Sequence, residues 1–134
     1  MIKADTTRNN AVIVTGNAIV HGMQNMDSGW FLGSFIPSSE GLRKCNAVEI
    51  KWGDHLAGET KAGFGTNHTA STIAILITGH FILTFPSGND VSLEKKGDYV
   101  IYGPGVPHGW TAIEDSLIIT VRWPSLSDDQ YVEK

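Results

Sequence analysis

The feature that most limits the fold of this chain is a succession of short, β-branched apolar runs separated by turns that contain glycine or proline. No window shows the i, i+3, i+4, i+7 spacing of apolar residues that predicts an amphipathic helix. Short strands at regular spacing, with turn signals between them, are typical of a β-sandwich or β-barrel. The sequence therefore predicts an all-β fold.

Length and composition agree with a single globular domain. The chain has 134 residues, 41% of them hydrophobic, which fits one packed core and excludes a disordered chain. Its 15 glycines lie mostly between the apolar runs, where they favour turns. No composition shift divides the chain, so we predict one domain over 1–134, with flexible tails at 1–10 and 125–134.

Nine or ten strands are predicted, and no helix. They cover 11–15, 18–20, 30–36, 47–52, 69–78, 81–85, 91–93, 99–102, 108–113 and 117–123. The strand at 47–52 alternates, which predicts a half-buried strand whose Glu49 and Lys51 face solvent. We predict that 69–78 pairs with 81–85, that 87–90 forms a hairpin turn, and that 108–113 pairs with 117–123.

Charge and targeting signals exclude several function classes. The formal net charge is −4, and the ten lysines and arginines form no cluster of the kind that nucleic acid requires. The longest apolar run, 73–77, is far shorter than the ~20 residues that cross a bilayer. The first residues contain no apolar segment typical of export, and a single cysteine cannot form an internal disulfide. We expect a cytoplasmic protein with no membrane partner.

Two segments carry histidines in positions suited to a site. In 97–110, Gly103-Pro104-Gly105 reverses the chain and Pro107 restrains the backbone before His108, so the imidazole projects from a stiff mount. In 65–85, His68 opens the longest predicted strand, and Thr72 has the same parity. Both histidines follow loops, where sites are commonly built.

These two segments resemble the motifs of a small single-domain cupin of the RmlC-like superfamily. The family's second motif is G, five residues, P, x, G, two residues, H, three residues, N. Gly97, Gly105 and His108 match it, with Gly103 in the proline slot and Ala112 in the asparagine slot. The resemblance covers 48–123 and implies a jelly-roll barrel, or double-stranded β-helix, of nine or ten antiparallel strands.

The first motif, H-x-H, three or four residues, E, six residues, G, is degenerate here. Counting back from Gly79 places Thr72 in the glutamate slot, His68 in the second histidine slot and Thr66 in the first. Metal-dependent cupins hold one divalent ion through these three slots and the histidine of the second motif. Only His68 and His108 carry over, and two imidazoles make a poor metal site.

Two functions from different classes follow. The first is binding of a small organic molecule in the barrel mouth by residues that the resemblance and strand parity bring together: His68, Thr72, Tyr102, His108 and Trp110. The rival is a mononuclear metal enzyme of the dioxygenase, isomerase or lyase type, in which Fe, Mn, Ni or Zn binds His68, His108 and either His55 or Glu59. A third hypothesis is a structural or partner-binding barrel with a plugged interior.

Small cupins commonly form homodimers, and the resemblance therefore implies a homodimer here. The apolar segments 11–20 and 30–36 are the predicted subunit contact, because they would otherwise leave apolar surface and strand edges exposed.

Overall fold

Ten strands, one α-helix and one 3-10 helix make up the part of the chain that the computed structural model describes, residues 13–24, 28–61 and 63–133. The helices are Ala18–Gln24 (α1) and the 3-10 segment Ser38–Arg43. The strands are Trp30–Leu32 (β1), Glu49–His55 (β2), Phe64–Asn67 (β3), Ser71–Thr78 (β4), Phe81–Thr84 (β5), Val91–Leu93 (β6), Tyr99–Tyr102 (β7), Gly109–Ala112 (β8), Ser116–Trp123 (β9) and Gln130–Glu133 (β10).

The strands form two antiparallel layers. The first is a five-stranded sheet in the order β1-β2-β9-β4-β7. The second contains β6-β5-β8 and is continued by the β3-β10 pair through the bridge between Gly65 and His108. Leu76 and Ile118 of the first layer pack with Phe81 and Leu83 of the second in one core. This architecture confirms the all-β, jelly-roll prediction.

Two predicted hairpins are wrong, because the chain changes layer at those points. β4 pairs with β7 and β9, and β5 pairs with β6 and β8. The corner between β4 and β5 is held by Ser116, whose Oγ accepts the His80 N–H at 3.1 Å. Gly79 has a φ of +103° there, and a Cβ would collide with the backbone of Asp115. The predicted turn at 87–90 does join the paired strands β5 and β6, as expected.

The strand predicted at 18–20 is a helix instead. Asn17 caps it, since its Oδ1 accepts the backbone N–H groups of Ile19 at 2.9 Å and Val20 at 3.1 Å. The residues at 13–17 lie in no regular element, and those at 11–12 lie outside the described residues. An asparagine before an apolar run is therefore a helix start here and not a turn between two strands.

The predicted C-terminal tail contains a strand. The Asp129 carboxylate accepts the N–H groups of Thr69 at 2.9 Å and Ala70 at 3.0 Å, and the Asn67 amide at 3.2 Å. These bonds anchor the segment beside the turn between β3 and β4, so β10 pairs with β3. The prediction of a flexible tail at 125–134 is wrong for this segment, and the tail predicted at 1–10 lies outside the described residues.

The inward face of the five-stranded sheet is polar at one end. Glu49 and Arg122 are opposite each other in the ladder and are only 8% and 9% exposed. Tyr99 and Ile101, on the outer face of β7, are 61% and 54% exposed. The prediction that Glu49 and Lys51 form a solvated face is therefore wrong: they point into the space between the layers.

No helix among the described residues is long and apolar enough to cross a membrane. The subunit contact through 11–20 and 30–36 stays a prediction.

Leu76 gives a direct test of the core. It is completely buried, whereas Leu56 is 66% exposed. We expect Leu76→Ala to lower the free energy of unfolding by about 2–5 kcal/mol, because it removes buried methyl groups and leaves a cavity. Leu56→Ala should change it by less than about 0.5 kcal/mol. Chemical denaturation of both variants measures the difference, and equal losses would contradict the described packing.

Candidate functional site

A cavity of about 100 Å³ lies between the two layers. This volume corresponds to about three water molecules, so any occupant is small. Its lining combines apolar side chains of the core with aromatic, polar and cationic groups. The lining residues are Trp30, Lys51, His55, Lys61, Ala74, Phe81, Leu83, Tyr102, His108, Trp110, Ile118, Thr120, Arg122 and Gln130.

One wall of the cavity is aromatic. β8 lies beside β5 in the second layer, so Trp110 stacks on Phe81 with ring centroids 5.3 Å apart. The His55 ring lies 4.3 Å from Trp110 and 5.1 Å from Phe81, centroid to centroid. Burial and then the charge of Lys51 lower the pKa of His55, against the opposing effect of Glu59. These rings present flat contact surface to an occupant.

His108 is held by its backbone and by its ring. It exchanges two 2.9 Å hydrogen bonds with Gly65, and its Nδ1 lies 3.1 Å from the Val106 carbonyl oxygen. A carbonyl oxygen only accepts, so Nδ1 carries the proton and Nε2 is left as an acceptor. Burial, opposed by the Val106 bond, and then the charges of Lys61 and Arg122 lower the pKa of His108 to about 4. The imidazole is therefore neutral near pH 7.

Tyr102 lies beside His108 in the lining of the cavity. It is opposite Thr72 in the ladder between β4 and β7, and its ring lies 4.4 Å from that of His108. Burial raises the pKa of Tyr102 to about 12, although the nearby Arg122 charge opposes the increase. Its hydroxyl stays protonated at neutral pH and can donate or accept a hydrogen bond.

Arg122 is the best-anchored cation of the site. Its Nη1 lies 3.0 Å from the Glu49 carboxylate, and its Nε donates to the Thr72 hydroxyl at 3.4 Å. The guanidinium also lies over the Trp30 ring, 4.6 Å from the centroid. Glu49 accepts a further hydrogen bond from Ser125 at 2.7 Å. The charge of Arg122 is thus largely balanced by Glu49.

Lys51 and Lys61 have no such balance. None of the ion pairs among the described residues includes either ammonium group. Burial, followed by repulsion from Arg122 and Lys61, lowers the pKa of Lys51 to about 8. Burial and then Arg122 also lower the pKa of Lys61. The site therefore concentrates positive charge that the described protein groups do not neutralise.

Comparison with solved structures identifies the fold family of this architecture. No family model and no curated protein sequence matches the chain. Among solved structures, KdgF from Halomonas sp. has a TM-score of 0.53 and 24% identity, over 62% of this chain and 74% of that one. A double-stranded β-helix protein from Klebsiella pneumoniae has a TM-score of 0.58 and 19% identity, over 66% and 76%. This chain has the cupin fold.

The DMSP lyase DddQ from Ruegeria pomeroyi is a further cupin-fold neighbour, with a TM-score of 0.54 and 19% identity. The alignment covers 65% of this chain but only 43% of the lyase. At these identities the likeness concerns the fold, which confirms the resemblance found in the sequence motifs.

The structure brings four of the predicted site residues to the cupin cavity: Tyr102, His108, Trp110 and the conditional His55. Trp110 and His108 share a face, as their parity indicated. Thr72 is fully buried beneath Arg122 and contacts that side chain instead of lining the cavity.

His68 is not part of the cavity. It lies in the turn after β3, is exposed, and stacks on Tyr131 with ring centroids 4.3 Å apart. The expectation that it opens the longest strand is wrong, since β4 begins at Ser71. The reason is the register of β3, in which Gly65, not Thr66, is opposite His108. The inward positions of β3 therefore differ by one residue from Thr66 and His68, which the motif places in the histidine slots.

The donor set does not fit the metal site of metal-dependent cupins. The inward positions beside His108 hold Gly65 and Asn67, and the glutamate slot holds Thr72. Among the described residues, no group of three or more His, Cys, Asp and Glu could hold a metal ion. His55 Nδ1 lies 3.6 Å from Glu59, but His68 is on the far side of β3. The predicted set of His68, His108 and His55 or Glu59 is therefore not assembled.

Sequence reasoning missed the basic residues of the cavity. Lys51 has the parity of Glu49 and His55, so placing His55 in a site implied placing Lys51 there too. Arg122 is the one charged residue in the apolar strand β9, which is a signal of a functional or paired charge. Lys61 lies in an irregular segment, and no pattern in the sequence identifies it.

Metal content tests the donor-set argument. We expect untagged protein purified without chelators to contain less than about a tenth of an equivalent of transition metal, because two histidines without a carboxylate bind such ions weakly. Inductively coupled plasma mass spectrometry measures it beside the His68→Ala/His108→Ala variant. About one equivalent in the wild type and none in the variant would contradict the expectation.

The pKa of His108 predicts a pH dependence of stability. The unfolded chain binds more protons than the folded protein between pH 6.5 and about 4, so stabilisation present above pH 6.5 is lost as pH falls through this range. We expect a loss on the order of 1–3 kcal/mol from this residue. Denaturation of wild type and His108→Gln from pH 7 to pH 4 measures it. Parallel pH profiles of the two proteins would contradict the prediction.

Proposed function

We propose that this protein binds a small organic molecule in the cavity between its two sheets. The observation that carries the proposal is the composition of that cavity, in which the Trp110 and Phe81 rings face the polar groups of Tyr102 and His108. A protein interior selected for stability alone is close-packed with apolar side chains. An open interior space with convergent polar groups is typical of a ligand site.

Each cavity residue has a distinct role in this proposal. Trp110 and Phe81 provide apolar contact surface for the carbon skeleton of the ligand. The neutral His108 accepts a hydrogen bond at Nε2, and the Tyr102 hydroxyl donates or accepts one. His68 and Thr72, which were predicted to line the site, are not part of the proposed binding surface.

The rival hypothesis, a metal-dependent enzyme, has less support. It depends on His68, whose ring packs against Tyr131 outside the cavity. The name of one neighbour describes a lyase that acts on DMSP, but the 19% identity to that protein does not transfer its activity. The third hypothesis, a plugged barrel, conflicts with the cavity of about 100 Å³.

Two tryptophans provide a matched test. Trp110 lines the cavity, whereas Trp123 lies on the outer face of β9 and is 38% exposed. In a screen of molecules of about four to eight non-hydrogen atoms, chosen to suit the small cavity, we expect hits to shift the indole N–H resonance of Trp110 and not that of Trp123.

Substitution completes the test. Trp110→Ala should weaken binding of these hits about tenfold or more, because it removes buried contact surface, and Trp123→Ala should leave affinity unchanged. Nuclear magnetic resonance titrations of both variants measure the affinities. Hits that shift neither indole, or that bind Trp110→Ala as well as wild type, would show that the cavity is not a binding site.

A further inference from the structure

Three cationic side chains reach the cavity from separate parts of the chain. Lys51 is on β2, Arg122 is on β9, and Lys61 precedes β3. Lys51 Nζ lies 6.0 Å from the centroid of the Trp30 ring, on which the Arg122 guanidinium also packs. The fold thus brings together positive groups that are up to 71 residues apart in sequence, and two of them lie on β2 and β9, which are adjacent in the sheet.

The lining of the cavity contains no acidic side chain among the described residues. Glu49, just behind it, neutralises Arg122 through the 3.0 Å ion pair. His55 and His108 have lowered pKa values and Tyr102 a raised one, so all three are neutral near pH 7. The lining and Glu49 together therefore carry a net charge of about +2, from Lys51 and Lys61.

This charge is costly to the folded protein. Moving an ammonium group out of water is unfavourable unless a counter-charge replaces the lost hydration. The lowered pKa values of Lys51 and Lys61 are the direct expression of that cost and of their repulsion by Arg122. A bound anion would supply the missing counter-charge, and groups that destabilise a fold while facing a cavity are typical of functional sites.

We infer that the cavity binds a small organic carboxylate, held at its charged end by Lys51, Lys61 and Arg122 and at its apolar end by the Trp110 wall. This inference rests on the proposed function and names the class of its ligand. The apolar and aromatic residues of the lining favour an organic acid over an inorganic anion, which has no carbon skeleton to bury. The volume of about 100 Å³ limits the acid to a few carbon atoms.

Donors for a carboxylate are in place. A Cβ built on Gly65 would lie 2.5 Å from Lys61 Nζ and 2.8 Å from Gln130 Nε2, so these two donors converge on the space that a side chain at position 65 would fill. Arg122 uses its Nε and Nη1 on Thr72 and Glu49, and its Nη2 has no acceptor among the described contacts. Ammonium and guanidinium donors form the strong, charge-assisted hydrogen bonds that carboxylates accept.

Matched pairs of acids and amides test the inference. The full chain is titrated with acetate, propanoate, lactate and succinate while the Trp110 indole resonance is followed. The uncharged amide of each acid and inorganic sulfate are titrated in the same way for comparison. We expect at least one acid to bind about 10- to 100-fold more tightly than its amide, the ratio typical of a charge-assisted hydrogen bond. Lys61→Met should abolish this ratio, and Lys95→Met, in an exposed turn, should preserve it.

The outcomes separate the two proposals. Amides or other neutral molecules that bind as tightly as the acids would overturn the inference and leave the proposed function standing. Sulfate that binds as tightly as the best acid would also overturn it. If neither the acids nor the neutral molecules of the earlier screen shift Trp110, both proposals fail.

A second measurement needs no ligand. We expect Lys51→Met and Lys61→Met to raise the denaturation midpoint of the ligand-free protein, because each removes a desolvated and repelled charge, whereas Lys95→Met should not change it. A structural role for the two lysines predicts the opposite, a lower midpoint. An unchanged or lower midpoint in both variants would overturn the inference.

Discussion

The buried ion pair between Arg122 and Glu49 is the interaction on which the rest of this structure depends. A buried guanidinium requires a partner, and Glu49 supplies it at 3.0 Å across the ladder between β9 and β2. Thr72, on the other neighbour of β9, accepts a further bond from the same side chain. Three strands of the sheet are therefore linked at one row, which determines the inward face of each. Because side chains alternate with a period of two, Lys51 must then point inward as well.

This register explains the unusual distribution of polarity. The inward face of β2 carries Glu49 and Lys51, while its outward face carries Ile50 and Trp52. Alternation in a sequence shows that two faces differ, but it does not show which one meets solvent. The usual assumption of an apolar inward face fails at the end of the sheet that lines the cavity, whereas Leu76 and Ile118, on the same inward face, pack in the core.

The fold and half of the site could be predicted from the sequence. The conformation of the 97–110 segment depends on neighbouring residues alone, because glycine and proline determine the turn and His108 and Trp110 follow at fixed parity. The placement of the first motif depends on contacts between residues that are distant in sequence. The motif spacing counted from Gly79 requires side chains that alternate without interruption. β4, however, has an irregularity between Leu76 and Thr78. A turn that is held by Asp129 also separates β4 from β3. Asp129 lies about 60 residues away in sequence, so only the folded chain reveals the one-residue difference that turns His68 outward.

Gly65 shows how this cavity accommodates positive charge without a metal ion. The first cupin motif places two histidine ligands in this part of the chain, and its glutamate ligand balances part of the charge of the bound ion. A glycine at that position removes the donor and leaves space, into which Lys61 and Gln130 extend. Together with Lys51, Lys61 places two positive charges at the cavity without a metal ligand. Attraction for an anion depends on charge and desolvation, whereas metal coordination depends on the donor atoms, so the inferred acid site requires the two lysines and no metal ligand.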